Sequence, residues 1–161
     1  MVNHRKRLGD WETDTLLGNN QKQAMLTLTE RKSRFTLLGK VPHRTARAVR
    51  KQILRLLLPV VDKVHTLTSD HGKEFADHEQ IAKILDLAFY FAHPYAAWER
   101  GTNENTNGLL RQYFPKKHDF LSVSNQEIKQ AMSRLNFRPR KCLAFKAPFE
   151  VFFKQSVALT T

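Results

Sequence analysis

The chain has 161 residues, 41% hydrophobic and 10% aromatic, which is enough for one domain with a buried core and too apolar for a disordered chain. Lys and Arg number 27 against 15 Asp and Glu, a net charge of +12 and a pI near 10.1, which suits a polyanionic partner, nucleic acid first. The lone cysteine, Cys142, excludes an internal disulfide and a cysteine zinc site and reads as a small buried residue, and no apolar run approaches the ~20 residues that span a bilayer.

Without repeats, low-complexity tracts or a Gly/Ser-rich linker, the pattern predicts one continuous domain over 1–161. The N-terminus "MVNHRKRLGDWETD" lacks the apolar core of a signal peptide, so a soluble, cytoplasmic, nucleoid-associated protein with no membrane partner is expected. "WETDTLLG" (Trp11 to Gly18) reads as a strand, and "AMLTLTERKSRFTLLGKV" as two alternating segments around a turn at Glu30 to Arg34. Thr45 can cap a helix with Val49, Ile53, Leu56 and Leu57 on one face, cations elsewhere, and Pro59 as its stop. Lys63 to Gly72 reads as a buried strand running into a turn. A helix with Ile81, Ile84 and Leu85 on one face follows, then a short strand, Leu87 to Phe91. After a Pro/Ala/Gly-rich loop from His93, another helix starts near Thr102 or Asn103. The last helix has a capping box, Ser124 with Glu127, ahead of Ile128, Ala131, Met132 and Leu135. The tail "RPRKCLAFKAPFEVFF", with Phe149, Phe152 and Phe153, packs on the body or meets a partner. The fold class is α/β with a mixed sheet.

The cations are grouped at His4 to Arg7, Glu30 to Arg34, His43 to Lys51, Arg111 to Lys117 and Arg138 to Lys141, as phosphate contact requires. Against that background the position of each acid matters. Asp70 lies where a buried strand meets a turn closed by Gly72, a usual place for a site, although an Asx-turn residue would look the same. Asp14 lies within a strand pattern, where aspartate is depleted; the bland alternative puts Glu12 and Asp14 together on a solvated face. Glu104 lies at a helix start, where it can simply complement the helix dipole for about 0.3–1 kcal/mol. Helical spacing aligns it with Asn107, Gly108 and Arg111, a face suited to a phosphodiester. Three carboxylates brought together repel unless protonated or metal-bound, and hard oxygen donors favour Mg²⁺ or Mn²⁺.

The segments "GDWETDTLLG", "TLTSDHGKEF", "HPYAAWERGTNENTNGLLRQYFPK" and "NFRPRKCLAFKAPFEVF" stand in the order found in the catalytic domain of the IS-thirty family of bacterial insertion-sequence transposases. The chain resembles that family from about Leu8 to Phe153, most specifically in "WERGTNENTNGLLRQYFPK". The resemblance implies a ribonuclease H-like integrase core, a mixed five-stranded sheet flanked by helices. It implies a DDE transposase that performs metal-dependent cleavage and strand transfer on transposon ends and target DNA. The catalytic and metal-holding acids are then Asp14, Asp70 and Glu104, with two Mg²⁺ (or Mn²⁺) ions, and working multimers of the chain are expected on DNA. The sequence departs from the family at Asp10, where histidine is expected, and at Thr13, where glycine is commoner. The N-terminal helix-turn-helix region of whole family members has no counterpart here.

Arg111, Lys116 and Lys117 are the leading DNA-contact residues, joined by Asn107 and Lys73. His71 and Lys73 flank Asp70, either orienting water or DNA or standing in a solvated turn. His93 lies at the mouth of the loop, and Tyr95 and Trp98 can stack on a base or dock on the core. Two other readings compete: a ribonuclease H-like metal nuclease that does not join strands, and a non-catalytic DNA-binding fragment.

Overall fold

The computed structural model describes residues 7–94 and 101–155. β1 (Asp10–Leu17), β2 (Ala24–Glu30) and β3 (Thr36–Val41) pair antiparallel, while β4 (Thr66–Ser69) and β5 (Ala88–Phe91) extend the sheet parallel to β1, giving the order β3-β2-β1-β4-β5. The β2–β3 turn closes on a buried carboxylate: Glu30 accepts from Gly9 N (3.1 Å), Lys32 N (3.2 Å) and Ser33 N (2.7 Å). A parallel neighbour needs a crossover. α1 (Ala46–Leu57) with the 3-10 turn Leu58–Lys63 supplies the first, and α2 (His78–Leu85) the second.

Side chains alternate across β1, so Trp11 faces α1 while Asp10, Glu12, Asp14 and Leu16 face the other side. The first face holds Trp11, Leu26, Leu28, Ile53, Leu57 and Leu67 in one core. On the second face α3 (Gly101–Leu110) and α4 (Asn125–Asn136) cover Leu16, Met25 and Leu38 together with Leu110, Phe114, Phe120 and Leu135. The predicted caps form: Thr45 Oγ1 accepts from Ala48 N at 3.2 Å, and Ser124 and Glu127 make the capping box that opens α4.

Several expectations change. The tail adds α5 (Pro148–Phe153), too short to display a period; it buries Phe152, which stacks on Phe35 (centroids 4.5 Å) and meets Trp11 edge-on. Cys142 is exposed, because Lys141–Leu143 is a surface 3-10 turn. Within the expected strand and turn of Lys63 to Gly72, β4 starts only at Thr66, since Lys63 closes the 3-10 turn, where its carbonyl accepts from Trp11 Nε1 (2.9 Å). Ile84 is 54% exposed, as α2 buries only Ile81 and Leu85.

Candidate active site

Asp10, Trp11 and Glu12 of β1 lie opposite Thr66, Leu67 and Thr68 of β4. That ladder ends at Glu12 and Thr68, so Asp14 and Asp70 each lie two residues beyond its last pair. Both are half-buried at the C-terminal end of the parallel pair, where sites gather in α/β sheets. Asp14 Oδ1 accepts from Thr15 N at 2.8 Å, and Oδ2 from Asn107 Nδ2 at 3.2 Å. Asp70 Oδ1 accepts from Gly72 N at 2.8 Å, so the Asx turn is real and fixes this carboxylate at the strand end.

A fourth acid enters here that the sequence did not single out. Glu74 Oε1 accepts from Thr15 Oγ1 at 3.1 Å. A Cβ on Gly72 would fall 2.5 Å from Glu74 Oε2 and 2.9 Å from Asp70 Oδ1, so both carboxylates crowd the glycine and any larger residue would push them away. Its only legible trace is a carboxylate two residues beyond the turn glycine.

The solvated-face reading of Glu12 is overturned. Glu12 is fully buried, 3.0 Å from Arg31 Nε in an ion pair, and its Oε2 accepts from Asn103 N at 2.6 Å. Asn103 Oδ1 accepts from Thr27 Oγ1 and Thr29 Oγ1, each at 3.1 Å, and Arg34 Nη1 donates to Thr102 Oγ1 at 2.6 Å. These bonds tie the first turn of α3 to β1, β2 and the β2–β3 turn. A helix start leaves backbone N–H groups without intrahelical partners, and a buried carboxylate answers one of them with charge assistance. Glu104, the next residue, is exposed. Asn107 follows one turn later, and a Cβ added at Gly108 would meet nothing within 4 Å, so this helix face is open.

The other predicted residues divide. Asn107, partly exposed, donates to Asp14. The Arg111 guanidinium is turned to backbone carbonyls, donating to Pro115 O (3.3 Å), Phe114 O (3.4 Å) and Leu17 O (3.5 Å), and burial lowers its pKa. It braces the end of α3 against β1. Lys73, Lys116 and Lys117 are exposed. His71, exposed in the bend after β4, stacks on Phe91, ring centroids 5.0 Å apart; His93 is exposed. Tyr95 and Trp98 lie outside the described residues.

Among the described residues, no group of three or more His, Cys, Asp or Glu side chains lies close enough to hold a metal ion. The donor chemistry fits a hard divalent cation: two carboxylates just beyond the β1–β4 ladder, an exposed glutamate in the first turn of α3, and Asn107 Oδ1 buried with no hydrogen-bond donor among the described residues. Among the described residues no helix is long and apolar enough to cross a membrane.

Residues 4–97 match the integrase core domain family. The transposase for insertion sequence element IS4351 of Bacteroides fragilis is 47% identical over 152 residues, covering 94% of this chain and 47% of that protein. Transposase InsI for insertion sequence element IS30A of Escherichia coli (strain K12) is 38% identical over 160 residues, covering 99% and 41%. The chain therefore spans less than half the length of these relatives. The catalytic core domain of BIV integrase superposes with a TM-score of 0.67 at 22% identity, covering 89% of this chain and 93% of that one. A chain of the simian T-cell lymphotropic virus intasome in complex with PP2A regulatory subunit B56 gamma gives 0.72 at 16% identity, covering 96% and 57%. The fold is thus the ribonuclease H-like fold of retroviral integrase cores.

Proposed function

This chain belongs to the integrase core domain family, and from that premise we propose that it is the catalytic domain of a DDE transposase of the IS30 type, cutting and joining DNA strands in the cytoplasm. One observation supports the reading: Asp14 and Asp70 each follow the end of the β1–β4 ladder by two residues, and α3, which carries Glu104, is bonded to both β1 and β2. In cleavage, a water oxygen attacks the phosphorus at the element's end, the bond to the 3′ oxygen breaks, and a free 3′-OH results. In joining, that 3′ oxygen attacks a phosphorus of target DNA, so one phosphodiester forms as another breaks.

Dependence on a divalent metal is general to this family; two Mg²⁺ (or Mn²⁺) ions held by Asp14, Asp70 and Glu104 would supply Lewis-acid stabilisation of the attacking and leaving oxygens. The chain's own work is positional. Asn107 orients Asp14, the Gly72 turn orients Asp70, and Glu12 with Asn103 holds the turn from which Glu104 projects. No protein nucleophile is needed, and no covalent enzyme intermediate forms. Lys73, Lys116 and Lys117 neutralise flanking phosphates, and the chain works on DNA as a homo-oligomer.

The test uses a labelled oligonucleotide with a free 3′-OH and a plasmid target, with Mg²⁺ or Mn²⁺. The native chain should yield joined product. Asp14→Asn, Asp70→Asn and Glu104→Gln should each reduce it by roughly 10³-fold, the scale of losing a preorganised electrostatic stabiliser, with unchanged circular dichroism. Full activity in Glu104→Gln sinks the assignment. Nicking without joined product would favour the nuclease, and DNA binding without turnover, indifferent to all three acids, the binding fragment.

A further inference from the structure

The cations of the C-terminal segment were counted with the rest of the basic surface, but four of them are concentrated on one cavity. A cavity of about 320 Å³ lies between the end of α3 and the segment after α4, lined by Gln112, Tyr113, Arg134, Arg138, Arg140 and Lys141 among others. None of its described lining residues is acidic. Two other basic cavities are different: one sets Glu150 among Lys32, Lys146 and Lys154, and in the other Lys40 donates to Val123 O at 2.7 Å beside the apolar Leu38, Leu56 and Ile128.

Cations gathered without carboxylates repel one another, and a solvated surface disperses them unless an anion draws them together. Arg140 bears most of this cost. Its Nη2 donates to Leu135 O at 3.3 Å, and its Nε is buried with no hydrogen-bond partner among the described residues. Burial, and then the charges of Arg138 and Arg34, hold its guanidinium below its ordinary pKa. The backbone presents it rigidly: Arg140 N donates to Lys146 O (3.0 Å), and Arg140 O accepts from Leu143 N (3.0 Å) and Phe145 N (2.8 Å). Arg134 is steadied over the Tyr113 ring, 5.8 Å from its centroid.

We propose that this cavity seats a backbone phosphodiester of the DNA, with Arg138, Arg140 and Lys141 as its donors. A phosphate supplies what the cavity lacks, a charge to oppose the cations and acceptor oxygens for the guanidinium fork. The location suits the strand being cut. Arg34 bonds Thr102 in the first turn of α3, two residues before Glu104, while Gln112 and Tyr113 line the cavity just beyond the other end of that helix. The basic line therefore follows α3 away from the acids. This inference rests on the reading of the chain as a DNA enzyme and adds a seat which that reading does not require.

The test is fluorescence anisotropy with a labelled generic duplex across a salt series. It compares the native chain with Arg138→Gln/Lys141→Gln, exposed residues whose loss leaves the Arg140 bonds intact, and with Arg47→Gln/Lys51→Gln on the exposed face of α1. Each phosphate contact contributes about 0.9 to the slope of log K against log salt, so the first pair should lower the slope by about 2 and the second should lower it less. Exposed Cys142, between Lys141 and Leu143, gives a second readout: DNA should slow its alkylation by a maleimide in the native chain. Equal losses in both pairs, or no loss in the first, would overturn the seat and leave the DNA reading standing. Absence of DNA binding by the native chain would end both.

Discussion

The two ends of α3 are held by different physics. At its first turn the contacts are polar and buried: a carboxylate from β1, hydroxyls from β2 and a guanidinium from the turn beyond β2. At its far end Leu110 and Phe114 pack against Leu16, Met25 and Phe120, with Arg111 laid over carbonyls. Apolar packing tolerates small slips, whereas a hydrogen bond near 2.6–3.1 Å with a preferred angle does not. The end that presents Glu104 is the one fixed in register. A site needs its donors placed closely; the distal end needs only to be stable.

The largest effect expected from breaking this contrast is at Glu12. Glu12→Ala removes the ion-pair partner of buried Arg31 and the acceptor for Asn103 N, and urea unfolding should show a loss of about 3–5 kcal/mol. Glu12→Gln keeps an acceptor for Asn103 N and should cost less, while still lowering strand joining. Leu110→Ala, at the other end, should cost about 2–5 kcal/mol in the same measurement. Because it leaves the first turn tied, joining per folded molecule should stay near native; a collapse of joining would mean that the two ends act as one unit. Gly108→Ala meets open space and should stabilise the helix by about 0.5–1 kcal/mol in thermal melts, with DNA affinity falling only if that face lies against a strand.

The smallest effect lies further back on the same strand face. Burial acts to raise the pKa of Asp10, but hydrogen bonds from Arg7 and Thr66, together with the charges of Arg7 and Arg31, outweigh it and hold the carboxyl below its ordinary value. A depressed carboxylate stabilises the fold above its unfolded pKa of about 4, and that contribution is lost as pH falls through the lower folded value. The melting-temperature gap between the native chain and Asp10→Asn should therefore narrow as acidity increases below about pH 4. A gap that widens would show that the pairing is not formed in solution.

Much of the frame was legible because it depends on short-range rules. Alternation put Asp10, Glu12 and Asp14 on one face of β1, turn chemistry closed the hairpin at Glu30 to Arg34, and hydroxyl caps opened α1 and α4. The same rules misjudged what each residue meets across the fold. Glu12 looks like a solvated acid until β2 delivers Arg31 and α3 delivers Asn103. Asn107 and Arg111, expected to face a phosphate, also meet β1, one at Asp14 and one at Leu17 O. α3 buries Thr102, Asn103 and Thr106 and has little apolar periodicity, because its first turns pack on a polar patch of the sheet.

By itself, the sequence determined the order of strands and helices, the family, and the acids set at turns and helix starts, since these follow from neighbours within a turn or a pleat and from the quoted motifs. Only the tertiary structure decided which acids are paired away, what holds the turn before Glu104, that Glu74 stands beside Asp70, and that Cys142 lies on the surface. Those outcomes depend on charges and amides distant in the chain being brought within hydrogen-bond reach, and the energy of such contacts falls so steeply with distance and angle that no local pattern encodes it.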